Sequence, residues 1–170
     1  YWLLFIQVNR LSVIGGTLDA KGAGFWACRT SGRNCPVGAR VCWINLLYRN
    51  HDSITVFLFF HSLLTTFLCA QMQSITFNWV NDGVISGLTS INSQLMHVVV
   101  NSCKNVKVQN VRIVAPDLSP NTDGIHVRGS TGVTISGSSI QTGDDCVSIG
   151  PGTRNLWMEK INCGPGHGVR

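Results

Sequence analysis

Two aspartates and a histidine recur along this chain at one fixed interval. Asp123 lies in PNTDGIHV, Asp145 follows 22 residues later in GDDCVSIG, and His167 follows after another 22 residues in GPGHGVR. Asp144 adds a third carboxylate beside Asp145. Carboxylates held close together raise one another's proton affinity, so that one can donate a proton while another stays ionised and activates water. Hydrolysis of a glycosidic bond requires this division of roles.

Each of these residues also has a simpler interpretation. The sequences N-T-D-G and G-D-D are good turn sequences by themselves, because Asn, Asp and Gly tolerate turn conformations. For a single aspartate a turn would be sufficient explanation. Three carboxylates and an imidazole in one register instead favour a functional cluster.

A repeat in the rest of the chain could hold these residues together. Nine-residue segments with the same alternation of apolar and polar positions begin at residues 10, 83, 105, 132 and 155, and short apolar segments lie at 95–100, 124–127 and 146–149. Alternation indicates strands, and the intervening Gly, Ser and Asn indicate turns. A period of about 22 residues with several strands in each period is typical of a solenoid. The 3.6-residue periodicity of a helical solenoid is missing.

The sequence therefore predicts an all-β protein, a right-handed parallel β-helix whose coils stack about 4.8 Å apart. Inward residues should form columns such as Ile125, Val147 and Val169. The two repeated aspartates and the histidine then occupy equivalent positions on three successive coils. Simple pleating would direct Asp123 inward, so we expect the carboxylates to lie in the turn before the strand. A β-sandwich is the alternative, because alternation alone does not determine topology.

The composition is consistent with many short strands and restricts the partners. Only 12% of the residues are charged, and 18 of the 170 residues are glycine. The formal net charge of +5 suits an acidic polysaccharide, although a mildly basic surface explains it equally well. A nucleic-acid partner is not expected, because no basic run carries interleaved aromatic residues. The 7 cysteines include no C-x-x-C pair, which argues against a zinc or redox site. Their density suggests an oxidising compartment.

Residues 41–73 differ in composition from the rest of the chain. They include no Gly or Pro, whereas the remaining residues hold all 18 Gly and all 5 Pro. Residues 53–70 are long and apolar enough to suggest a membrane helix, and a buried hydrophobic hairpin is a second interpretation. We favour a translated intron, because Val codons begin with GT, a Gln codon can be CAG, and the reading frame is preserved.

On this hypothesis, segment 41–73 has no evolved place in the fold. It should loop out, misfold or promote aggregation. We predict a single partial β-helix domain over residues 1–170 that is interrupted by this insert.

The motifs around the repeated aspartates resemble those of a known family. SPNTDGIHV, TGDDCVSIG and CGPGHGV are similar to successive signature motifs of the polygalacturonases, glycoside hydrolase family 28, and the sequence on both sides of the insert resembles its plant branch. The resemblance implies hydrolysis of α-1,4 bonds in polygalacturonate with inversion. It also implies that Asp144 is the general acid, that Asp123 and Asp145 activate water, that His167 supports the acid, and that Asn121 binds substrate.

The resemblance extends to the cysteines and to the setting in which the protein works. It implies a disulfide between Cys146 and Cys163 and a second one between Cys28 and Cys35, with Cys103 unpaired. It implies no cofactor and no metal. The expected partner is polygalacturonate (pectin), for a secreted monomer of the cell wall that does not enter a membrane.

Two departures from the family pattern lower the expected activity. The Arg-Ile-Lys motif that grips the substrate carboxylate in the family is missing from this chain, and Arg170 stands where the family usually has Ser. We therefore expect a truncated chain, incomplete at its C-terminal end, with little or no activity. The alternatives are a non-catalytic pectin-binding or inert fragment, a rhamnogalacturonan hydrolase, and a Ca²⁺-dependent pectate lyase.

Overall fold

The structure is a computed structural model that describes residues 3–32, 49–50, 53–57 and 73–170. Within these residues, short strands wind through five stacked coils, each with three strands. Coil 1 contains β1 (Leu3–Ile6), β2 (Leu11–Ile14) and β3 (Thr17–Asp19), and helix α1 (Ala23–Thr30) follows it.

In chain order, two further strands, β4 (Arg49–Asn50) and β5 (Ser53–Phe57), come between coil 1 and the other four coils. The strands of those coils are, in chain order, β6 (Ile75–Asn78), β7 (Asn81–Ser86), β8 (Thr89–Ile91), β9 (Val98–Asn101), β10 (Lys104–Gln109), β11 (Arg112–Val114), β12 (Ile125–Arg128), β13 (Thr131–Ser136), β14 (Ser139–Gln141), β15 (Val147–Ile149), β16 (Arg154–Glu159) and β17 (Asn162–Cys163).

The strands assemble into three sheets, with one strand from every coil in each. Sheet A has the order β1-β6-β9-β12-β15, sheet B the order β16-β13-β10-β7-β2-β5-β4, and sheet C the order β17-β14-β11-β8-β3. All neighbouring strands are parallel except β4 and β5. The predicted all-β parallel β-helix is confirmed.

The core consists of columns of aliphatic side chains inside the coils. Ile125 pairs with Val147, which in turn pairs with Val169, so the predicted stacking is present, although Val169 is 51% exposed and not buried as expected. The same column continues in the other direction through Val98 and Ile75. These four strand residues from 75 to 147 are all 0% exposed. The apolar burial along each column is the main force that stacks one coil on the next.

Each nine-residue copy of the repeat contains two strands where the alternation suggested one. In the copy at 132–140, the chain leaves β13, turns at Gly137 and enters β14. Gly137 has φ 59°, and Asn110 at the equivalent position of the preceding coil has φ 54°. Gly and Asn adopt this left-handed conformation most readily, so they bend the chain from sheet B to sheet C.

Only part of segment 41–73 falls within the described residues. The backbone of β5 pairs in parallel with β2, with Ile54 opposite Leu11, and β4 pairs with β5 as a short antiparallel hairpin. The prediction that the segment loops out is therefore wrong for these strands, which extend sheet B beyond β2. A continuous membrane helix over 53–70 is likewise inconsistent with β5. No helix among the described residues is long and apolar enough to span a membrane.

Candidate active site

The candidate residues lie in three consecutive connections between sheet C and sheet A. Asn121 and Asp123 precede β12, Asp144 and Asp145 precede β15, and His167 follows β17. The expectation that the carboxylates lie in the turn before the strand agrees with this placement. Alternation has not yet begun in these turns, so polar side chains need not follow the inward direction of the next strand residue.

Backbone hydrogen bonds hold the three connections against one another. Gly124 N donates to Asp145 O at 2.9 Å, and His167 N donates to Asp144 O at 2.8 Å. Gly143 allows the close approach, because a Cβ there would lie 2.2 Å from the carbonyl oxygen of Ser119. Residues that are 22 positions apart in the sequence therefore lie next to each other on neighbouring coils.

One half of the site joins Asp144, Asp145, His167 and Arg170. His167 Nδ1 lies 3.2 Å from Asp144 Oδ1, and Arg170 donates from Nε to Asp145 Oδ2 at 3.1 Å. A second guanidinium nitrogen of Arg170 lies 3.0 Å from Asp145 Oδ2 and 3.6 Å from Asp144 Oδ1. Asn121 Nδ2 reaches Asp144 Oδ2 at 3.5 Å. The acidic pair is therefore surrounded by cationic or amide groups on several sides.

The two adjacent carboxylates differ in their access to solvent. The side chain of Asp145 is 3% exposed, whereas that of Asp144 is 15% exposed. Asp145 Oδ1 is buried and has no hydrogen-bond partner. Asp144, Asp145 and His167 place potential ligand atoms within 4.8 Å of one another. Arg170 supplies positive charge to the same carboxylates, which makes a cation less favourable there.

The other half of the site is a relay from Asp123 through Ser148 to His126. Ser148 Oγ donates to Asp123 Oδ2 at 2.5 Å, and His126 Nδ1 lies 2.8 Å from the same hydroxyl. An ionised carboxylate only accepts, so the single hydroxyl proton points to Asp123 and the imidazole proton must be on Nδ1. Burial lowers the pKa of His126; the charge of Asp123 opposes this shift, and that of Arg128 adds to it.

Sequence reasoning missed His126, Ser148 and Arg170 as partners of the carboxylates. They follow one another at the same 22-residue interval, each three positions after Asp123, Asp145 or His167. A search for polar residues on the outer face of the strands would have found this column.

A disulfide ties together the coils that carry the site. Cys146, directly after Asp145, is bonded to Cys163 across a sequence separation of 17 residues. Cys28 is also disulfide-bonded, and its predicted partner Cys35 lies outside the described residues, so this pairing stays a prediction. Cys103 is free and buried.

Removing this disulfide should destabilise the chain substantially. Closing a loop of this size restricts the unfolded chain by about 3 kcal/mol. We expect C146A/C163A to lose about that much free energy of unfolding in urea denaturation. Wild-type protein kept under reducing conditions should lose at least as much, because reduction also breaks the disulfide of Cys28. An unchanged urea midpoint in the double variant would show that the stack, not the bridge, holds these coils together.

Fold and site together define a class of protein: a parallel β-helix with a glycosidase-like cluster of carboxylates. Comparisons with known proteins identify the family. The family model described as glycosyl hydrolases family 28 matches residues 67–170, and the chain belongs to this family.

Curated relatives agree with this assignment, and a solved structure shares the fold. The chain is 43% identical to a polygalacturonase of Prunus persica and 50% identical to one of Medicago sativa, each over 99% of this chain. It covers 35% and 34% of these proteins, so it spans about a third of the length of the curated relatives it matches. A polygalacturonase structure from Erwinia carotovora ssp. carotovora shares the fold, with TM-score 0.63 and 22% identity over 95% of this chain and 41% of that one.

Proposed function

We propose that this chain carries the catalytic site of a polygalacturonase, which hydrolyses α-1,4-glycosidic bonds in polygalacturonate with inversion. The observation that carries the proposal is the convergence of Asp123, Asp144, Asp145 and His167 from three successive connections. Membership of the family and the names of its plant relatives support the substrate class.

The geometry suggests a role for each residue. Asp144 is the more exposed carboxylate of the adjacent pair and contacts His167, which suits a general acid that protonates the leaving oxygen. Asp145 and Asp123 act as the base that takes a proton from the attacking water. Inversion requires the acid and base to lie about 6.5–9.5 Å apart so that this water fits between them. Asn121, beside Asp144, orients the sugar by hydrogen bonding.

The setting follows from the chemistry of the chain. Its disulfide requires an oxidising compartment, and pectin is extracellular, so we place the protein outside the cell, in the cell wall. The formal net charge of +5 favours association with a polyanion. We expect a monomer that needs no cofactor.

Arg170 favours a second candidate function, binding of pectin without cleavage. Its guanidinium contacts both Asp144 and Asp145 and therefore competes with water and substrate for their oxygens. If Arg170 keeps this contact, the chain would bind the polymer on the outer surface of the protein without cleaving the glycosidic bond.

Incubation of the purified chain with polygalacturonate separates these functions. A polygalacturonase releases reducing ends whose anomeric configuration, followed by NMR, is inverted when first formed. The rate should not depend on a chelator, and no unsaturated sugar should appear, which distinguishes hydrolysis from Ca²⁺-dependent elimination. Binding without reducing ends would support the second candidate. Absence of both would contradict the proposal.

A further inference from the structure

The outer face of sheet A carries a second polar column next to the carboxylates. Side chains of β12 alternate, so that His126 and Arg128 share the outer face. The strand register aligns Asn78, Asn101 and Arg128 on three successive coils. Asn101 Nδ2 donates to Asn78 Oδ1 at 3.1 Å. This column runs along the stack beside the column that contains His126 and Ser148.

Arg128 is positioned by the next coil. A Cβ on Gly150 would lie 3.0 Å from both Cβ and Cγ of Arg128, so the stem of the arginine rests against this glycine. Arg128 is exposed. Among the described residues, no carboxylate forms an ion pair with it. Its charge nevertheless acts on His126 and contributes to lowering the pKa of that imidazole. The guanidinium thus lies near the site and has no anionic partner in the part of the chain that the structure describes.

We propose that Arg128 binds the carboxylate of a uronate unit away from the bond that is cleaved, with the Asn101 amide alongside. This inference rests on the proposed function. Arg128 lies two residues beyond His126, about 7 Å along the same face of the strand. It therefore faces a different sugar unit from the one that contacts the catalytic aspartates. Arg128 is therefore a binding and specificity residue, not a catalytic one.

The chemistry of the polymer matches this position. Every unit of polygalacturonate carries a carboxylate, and a guanidinium recognises a carboxylate through two parallel hydrogen bonds. A methyl-esterified unit carries no charge and cannot accept the same pair of charged bonds. The residue would therefore favour polymer that is free of methyl ester at this unit.

Calorimetric titration of the purified chain with short oligogalacturonates tests the assignment. R128A should weaken binding by about tenfold or more, the loss expected for a hydrogen-bonded charge. R128K should bind more tightly than R128A but less tightly than wild type. Lysine keeps the positive charge but cannot form the two parallel hydrogen bonds of a guanidinium. R112A is the matched control, since Arg112 is an exposed arginine on sheet C. Fully methyl-esterified oligomers should bind R128A and wild type equally.

The outcomes separate this inference from the proposed function. Equal affinity of R128A and wild type for oligogalacturonate overturns the role of Arg128 and leaves hydrolysis intact. An equal loss in R112A also overturns it, because net charge alone would then explain the effect. A wild-type chain that neither binds the oligomers nor releases reducing ends overturns both proposals. Matching urea midpoints for the three variants and wild type show that the fold is retained.

Discussion

Asp144→Asn is expected to lower the rate of reducing-end release from polygalacturonate by about 10²–10⁴-fold relative to wild type. An amide of the same shape cannot deliver a proton to the leaving oxygen, and loss of a positioned general acid costs this much. The hydrogen-bonding geometry around His167 and Asn121 should otherwise be retained. Affinity for oligogalacturonate should change by only a few-fold, because proton donation to the leaving oxygen stabilises the transition state and not the bound substrate.

The leaving group distinguishes the acid from the base. The leaving oxygen of an activated aryl glycoside needs little protonation. On that substrate the rate of Asp144→Asn should therefore be much closer to the rate of wild type. Asp145→Asn should show no such recovery, because water activation is still required. Asp117→Asn is the matched control, since it removes an exposed carboxylate from the same connection that carries Asn121 and Asp123. Turnover of polygalacturonate by Asp144→Asn within tenfold of wild type would remove Asp144 from the role of acid.

The second large effect concerns His97, which should make the fold sensitive to acid. His97 is 0% exposed, its Nδ1 lies 2.9 Å from Ser90 Oγ, and its Nε2 is buried without a partner. Burial lowers the pKa of His97 from its ordinary value of 6.5 to about 3, and the hydrogen bond with Ser90 opposes the shift. The imidazole is therefore neutral in the folded chain over a range in which the unfolded chain is protonated.

The sign of the effect follows from proton binding. Between pH 6.5 and about 3 the unfolded state binds the extra proton, so stability is fully present above pH 6.5 and is lost as the pH falls. The contribution is about 1.4 kcal/mol per pH unit. The free energy of unfolding in urea should be measured for wild type and His97→Asn between pH 4 and 6.5. The variant should lack this part of the pH dependence, because asparagine does not titrate. Asparagine can also keep the hydrogen bond to Ser90.

A matched histidine tests whether burial is the cause. His167→Asn makes the same chemical change at a side chain that is 62% exposed. Parallel pH profiles for wild type and His97→Asn would contradict the prediction. Because His97 N donates to Asp123 O at 2.8 Å, loss of order around a protonated His97 should also reach the candidate site.

The parts of the fold that depend on a regular sequence repeat could be predicted from the sequence. The column through Ile125, Val147 and Val169 is an example, because a two-residue pleat and a constant coil length together determine which residues stack. The division of each nine-residue repeat into two strands was missed. Asn110 and Gly137 turn the chain there without interrupting the apolar pattern.

The sequence by itself determined the solenoid and the meeting of Asp123, Asp145 and His167 on neighbouring coils, since equal spacing along the chain becomes adjacency once the coils stack. Only the tertiary structure decided the contacts among side chains. The bond from Ser148 to Asp123 and the contact of Arg170 with two carboxylates depend on the directions of the aspartate side chains, which lie at turns where no pleat constrains them. The placement of β5 beside β2 likewise depends on an open sheet edge that no local pattern reveals.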